Sequence, residues 1–216
     1  MKLAVFDCDG TLVDGQAAVC DAMEAAFAAA GLPLPERAQV RRIVGLSLPQ
    51  AVRALAPDAA PERQAAAVEA YKTAFRASRE EGRLEEPLFE GLGDLLAELQ
   101  GDGWQLAVAT GKSDRGLAAC LAGHGIAQLF TSLQTADRHP SKPDPAMLAA
   151  ALFEAGAEAD EAVMIGDTTF DMSMARAAGV RAIGVAWGYH TADELIAAGA
   201  DAVAHSVAEL KGLLDG

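Results

Sequence analysis

Five short apolar runs, Lys2 to Phe6, Gln105 to Ala109, Leu129 to Leu133, Ala162 to Ile165 and Val180 to Ala186, restrict the fold more than any other feature of this chain. Each is continuous rather than alternating, so its strand is buried on both faces, and each gives way to a polar or Gly-rich turn. Helix-patterned segments alternate with them. Pro145 near a first turn and Gly156 after a last one bracket one helix, and Asp114 and Gly123 bracket another. Capping-box spellings, Thr191 to Glu194 and Ser206 to Glu209, open two more. The alternation predicts an α/β fold: a doubly wound, mostly parallel, Rossmann-like sheet with helices on both faces.

Between the first run and Leu88 no strand is legible from Gly15 to Glu86. That stretch is too long for a connection. It carries the helix-period patterns QAAVCDAMEAAFAAAG, LPQAVRALA and PERQAAAVEAYKTAFRASREEG, separated by the breakers PLPE and APDAAP. The expected division is a sheet domain of residues 1–14 and 87–216 with an inserted all-helical domain of residues 15–86. The alternative is an extra helical layer of a single domain.

Hydrophobic residues make up 51% of the chain, enough for a substantial core, and the net charge is −14. Such an acidic chain is not expected to bind nucleic acid or an anionic membrane, which need clustered Lys and Arg. A small phosphorylated metabolite remains compatible, because a bound divalent cation inverts the local field. No apolar run of membrane-spanning length is free of charge, so no membrane association and a cytoplasmic location are expected. Cys8, Cys20 and Cys120 lack CxxC spacing and support neither a disulfide framework nor a zinc site; they read as buried small hydrophobes. Oligomeric state stays open between monomer and homodimer.

The chemistry concentrates at strand ends. Asp7 and Asp9 follow the first run directly, and a spacing of two puts both on one side of its C-terminal end, roughly 6 to 7 Å apart at the backbone. Gly10 permits a tight turn, and Thr11 offers a hydroxyl and an amide to the same crevice. Two carboxylates leaving a hydrophobic strand require a cation or a solvated rim, and a hard ion such as Mg2+ satisfies the first. An isolated DxD is also an ordinary Asp-rich turn. A second acidic element, GDTTFD, places Asp167 at another strand end and Asp171 four residues on. If the chain reverses direction after its third strand, this strand lies beside the first and the carboxylates converge. Thr110 and Gly111 end the run QLAVA, where a hydroxyl and free amides suit an anion. The following GKS is no nucleotide P-loop, since Leu106 occupies the position of its first glycine. Lys142, in HPSKPDP, is held extended by Pro143 and offers a fixed cation, although a loop lysine is ordinarily just solvated.

Taken in order, DCDGT, TG, SKPDP and GDTTFD resemble the four signature motifs of the haloacid dehalogenase-like hydrolases. The position of the insertion resembles the subfamily with a helical cap, and the layout is similar to that of phosphoglycolate phosphatases. The resemblance implies a Mg2+-dependent phosphatase in which Asp7 is the nucleophile and Asp9 the general acid and base. It assigns Mg2+ to Asp7, the carbonyl of Asp9 and Asp167, with Asp171 in support, and the phosphoryl oxygens to Thr110, Gly111 and Lys142. Asp9 favours phosphoryl chemistry over dehalogenation, and a sugar-phosphate mutase or a phosphoryl-accepting regulator is the alternative. The cap segment RRIVGLSLPQ resembles substrate loops, making Arg41, Arg42, Gly45, Leu46 and Ser47 candidates for substrate contact. A surface arginine pair is the commoner explanation of Arg41 and Arg42. WGYH, Trp187 to His190, resembles a segment common in phosphoglycolate phosphatases; otherwise Trp187 and Tyr189 pack a domain edge and His190 is solvated.

Overall fold

Six parallel strands form one sheet in the computed structural model, which describes residues 2–215. They are β1 (Lys2–Phe6), β2 (Trp104–Thr110), β3 (Phe130–Thr135), β4 (Ala162–Gly166), β5 (Arg181–Val185) and β6 (Ala202–Ala204). Their order is β3-β2-β1-β4-β5-β6, so the chain returns from the β3 edge to place β4 beside β1. Phe6 pairs with both Val108 and Ile165. That register brings the residues after β1, β2 and β4 out along one edge, at the switch point where α/β sheets bind ligands.

Both sheet faces are covered, which explains the unbroken apolarity of the strands. One layer comprises α5 (Leu92–Gly101), α6 (Asp114–Gly123) and α10 (Val207–Asp215), whose Leu96, Leu117 and Leu210 pack on Phe6, Val108 and Ile165. The other comprises α7 (Ala146–Ala155), α8 (Thr169–Ala178) and α9 (Ala192–Ala198), with Met147, Met172 and Leu195 on Leu3, Val5 and Met164. Each such fully buried side chain contributes about 1.5–3 kcal/mol.

The segment between β1 and β2 opens with four helices, α1 (Gln16–Ala29), α2 (Arg37–Arg42), α3 (Leu48–Leu55) and α4 (Pro61–Glu80), which share a hydrophobic cluster of their own. Met23, Phe27, Val40, Val52 and Ala67 are at its centre. The two crossings into this helical insert run side by side: the Asp14 N–H donates to Pro87 O (2.8 Å) and the Phe89 N–H to Leu12 O (3.0 Å). Among the described residues no helix is long and apolar enough to cross a membrane.

Several elements depart from the sequence expectation. β6 and α2 were not anticipated, since three and six residues are too few to express a period. The third strand begins at Phe130, because Leu129 closes a 3-10 turn. Val180 and Ala186 fall outside β5. By contrast, α6 runs between Asp114 and Gly123 as read, with Ser113 capping it by accepting from the Gly116 N–H (3.1 Å). At α10, Ser206 Oγ accepts from the Glu209 N–H (3.1 Å), but Glu209 reaches back to the His205 N–H (2.8 Å), so the box is not closed on Ser206.

Candidate active site

Asp7 continues the β1 ladder by donating its N–H to Ile165 O (2.9 Å), which holds its backbone against β4. Its Oδ1 accepts from the Cys8 N–H (2.6 Å) and lies 3.0 Å from Lys142 Nζ, whereas its Oδ2 is buried without a hydrogen-bond partner. Burial pushes the Asp7 carboxyl up to about 7 against the pull of Lys142, with Asp171 and Asp9 adding repulsion.

Asp167 leaves the end of β4. Its Oδ1 accepts from Thr11 Oγ1 (2.8 Å), and its Oδ2 from the Tyr189 N–H (2.9 Å). Burial, then Asp7 and Asp171, push its carboxyl well above the usual range. Asp171 stands in the first turn of α8, where the Thr168 side chain caps the helix. Its Oδ2 accepts from the Thr168 N–H (3.1 Å) and Oγ1 (2.6 Å), and its Oδ1 is 2.6 Å from Lys142 Nζ. Lys142, fully buried beside a cis Lys142–Pro143 peptide, is therefore the shared partner of two carboxylates. Desolvation opposes its charge, but Asp171 and Asp7 outweigh it and hold the ammonium above its ordinary range.

Ligand oxygens of Asp7, Asp167 and Asp171 all lie within 4.8 Å of one another. Three buried carboxylates against one ammonium leave excess negative charge, and the orphaned Asp7 Oδ2 gives that charge a direction. An all-oxygen donor set of this kind fits a hard divalent cation.

In front of Asp7 lies a cavity of about 410 Å³, with Asp7, Asp9 and Thr110 on the sheet side and Met23, Tyr71 and Phe75 on the insert side. Of the predicted phosphate-holding residues, Thr110 and Gly111 line it. Gly111 also lies under the insert: an added Cβ would stand 2.6 Å from Leu46 O and 2.8 Å from Gly45 O. Gly45, Leu46 and Ser47 line the cavity, and the Ser47 N–H donates to Ser141 Oγ (2.7 Å), one residue before Lys142.

Other expectations are corrected. Thr11 commits its hydroxyl to Asp167, and Gly10, at φ +82°, makes room for its neighbours: a Cβ there would meet Asp167 Oδ2 at 2.2 Å and the Tyr189 ring at 2.5 Å. Neither lines the cavity. Arg41 and Arg42 are exposed and outside it; Arg42 forks onto Glu194 of α9 at 2.7 and 2.8 Å. His190 is buried rather than solvated, its Nδ1 accepting from the Thr169 N–H (3.0 Å) and its Nε2 contacting Arg42 O (3.2 Å). Burial, followed by the Arg42 charge, holds its imidazole below the ordinary range. Trp187 and Tyr189 do pack at domain edges, against the sheet cluster and the insert cluster respectively, but WGYH also wraps Asp167.

Sequence reasoning missed Lys112, Glu86 and Arg79. Lys112 Nζ lies 2.9 Å from Asp9 Oδ1 and 2.6 Å from Glu86 Oε1, and Arg79 Nη2, buried at the cavity without a hydrogen-bond partner, lies 3.8 Å from Glu86 Oε2. Lys112 was visible in GKS once a P-loop was set aside. Glu86 lies at the domain border, and Arg79 is one of several cations in a helix-period pattern that does not say which of them meets a cavity.

Among known proteins, a family model described as haloacid dehalogenase-like hydrolase matches residues 4–185. The protein named Probable phosphatase IndB of Dickeya dadantii is 39% identical, with 97% of this chain and 92% of the relative aligned. A phosphoglycolate phosphatase of Vibrio cholerae is 31% identical over 97% of this chain and 95% of its own length. A crystal structure of a hydrolase from Pseudomonas syringae superposes with a TM-score of 0.88 at 26% identity, covering 100% of this chain and 98% of that one.

Proposed function

Since the chain belongs to the haloacid dehalogenase-like hydrolases and is a phosphatase of that family, we propose that it is a Mg2+-dependent hydrolase of small, phosphoglycolate-like phosphomonoesters acting through Asp7. The observation that carries this reading is the division of labour on one carboxylate. Asp7 Oδ1 is occupied by the Cys8 amide and Lys142, while Oδ2 is buried and unpartnered beside two further carboxylates. Asp7, Asp167 and Asp171, with the carbonyl of Asp9, would hold Mg2+, and the ion would supply charge neutralisation for the transferring phosphoryl group.

In the proposed reaction a carboxylate oxygen of Asp7 bonds to phosphorus as the bond to the leaving oxygen breaks. The electron pair departs on that oxygen, which takes a proton from Asp9. Asp9 then removes a proton from water, whose oxygen attacks phosphorus, and the bond from Asp7 to phosphorus breaks to release inorganic phosphate. Thr110, Gly111 and Lys142 hold the phosphoryl oxygens. Residues 15–86 act as the cap, hinged at the paired crossings of Leu12–Asp14 and Pro87–Phe89 and closing over the cavity. Arg79, which lines the cavity and whose Nη2 has only a long 3.8 Å ion contact to Glu86 Oε2, would meet a carboxylate on the substrate's far end.

Phosphate release from p-nitrophenyl phosphate and phosphoglycolate, with and without Mg2+, tests the proposal. Asp7→Asn is expected to lower turnover by about 10³-fold or more, and chelation to remove activity that Mg2+ restores. Retained turnover in Asp7→Asn, or an isomerised sugar phosphate in place of free phosphate, overturns it.

A further inference from the structure

Resting on the assignment of Asp9 as acid and base, we propose that Lys112 is the positioning residue that aims the proton of Asp9 at the leaving oxygen. Asp9 and Lys112 are both largely buried, with side-chain exposures of 14% and 7%. Oδ1 of Asp9 is a buried oxygen with no aligned hydrogen-bond donor, so the ammonium 2.9 Å away is its electrostatic compensation. An ammonium group carries donors only and has no acceptor. The oxygen it faces is therefore the one that stays unprotonated, and a proton on Asp9 is directed to Oδ2. The same bias selects Oδ2 as the oxygen that takes the proton from water in the second step.

Lys112 is itself fixed from the opposite side. Glu86 Oε1 lies 2.6 Å from its Nζ, with the Glu86 side chain 7% exposed, and the Phe75 ring of α4 stands 5.4 Å from the ammonium. Burial disfavours the charge of Lys112, but Asp9, followed by Cys8 and Glu86, outweighs that cost. Gly15 completes the arrangement: a Cβ there would lie 3.2 Å from Asp9 Oδ1 and 3.6 Å from Glu86 Oε1, so this position contributes no side chain and leaves Asp9 to Lys112. Gly15 and Glu86 directly adjoin the two crossings into the insert. The grip on Asp9 is thus assembled where the hinge strands meet.

A leaving-group series separates this role from a structural one. p-Nitrophenyl phosphate and phenyl phosphate are alike in bulk, but nitrophenolate departs without protonation and phenolate benefits from it. The ratio of their kcat/KM values reports proton donation up to the first irreversible step. Lys112→Met is expected to lower kcat/KM for phenyl phosphate about tenfold more than for p-nitrophenyl phosphate, and Lys112→Arg to restore most of the ratio. Glu86→Gln leaves Lys112 on Asp9 and is expected to keep the wild-type ratio. If Lys112→Met does not fold, the double variant Lys112→Met/Glu86→Gln, which also removes the second buried carboxylate, carries the same readout. Equal losses on both substrates, or a Glu86→Gln shift as large as that of Lys112→Met, refute the role of Lys112 and leave the phosphatase reading intact. Turnover that survives Asp7→Asn instead removes the reading on which it rests.

Discussion

At Gly188 an added Cβ would lie 2.2 Å from the Cβ of Asp167 and 2.3 Å from its Oδ2, closer than any real contact. Glycine is required there because the loop that donates the Tyr189 N–H to Asp167 crosses directly over it. Gly188→Ala is expected to cost about 1–3 kcal/mol and to weaken Mg2+ binding, measured by thermal unfolding and by Mg2+ titration of the same samples. An unchanged Mg2+ affinity counts against Asp167 as a ligand. At this scale the positions of Asp7, Thr110 and Asp167 at strand ends and of Lys142 in a proline-marked loop were legible, because local pattern identifies such places. For Thr11 the motif alone left the hydroxyl free to face a crevice, and only the adjacency of β1 and β4 shows that it is committed to Asp167.

Between elements, the polar contacts of the insert with the sheet domain include, besides Lys112 on Glu86, Arg42 on Glu194, Arg42 O against His190, and the Ser47 amide on Ser141. The arginine–glutamate pair is solvent-exposed, at 51% and 35% of the side chains, so it adds little to stability. If the insert closes over the site as proposed, the effect of the pair falls on the position of the insert. Arg42→Met is expected to leave the unfolding temperature nearly unchanged and to raise KM to the same degree for phosphomonoesters with and without a carboxylate. A selective loss for the carboxylate-bearing substrates implies that Arg42 touches substrate after all. α2 escaped detection because one buried residue, Val40, in six leaves no amphipathic signature, and that helix carries Arg42 to Glu194.

For the whole molecule, three buried carboxylates in a chain of net charge −14 tie stability to pH and metal. Asp7 is raised from 3.8 to about 7, so between those values the folded protein holds a proton that the unfolded chain has released. Metal-free stability therefore falls as pH rises through that window. Asp167 is raised as well and acts in the same direction. Mg2+ binds the ionised carboxylates, so the rise in unfolding temperature on adding it is expected to be larger at about pH 8 than at about pH 5; an equal or smaller rise at the higher pH contradicts this. The sequence by itself determined the buried strands, the helical insertion and the carboxylates at the ends of β1 and β4, because strand polarity and motif spacing are local and periodic. Only the tertiary structure decided which side chains face the cavity and which brace its walls. Lys112 reaches Asp9 and Glu86, Gly188 passes over Asp167 and Arg42 is spent on Glu194 because strands distant in sequence lie side by side and the insert folds back over their ends. No local period encodes such a meeting.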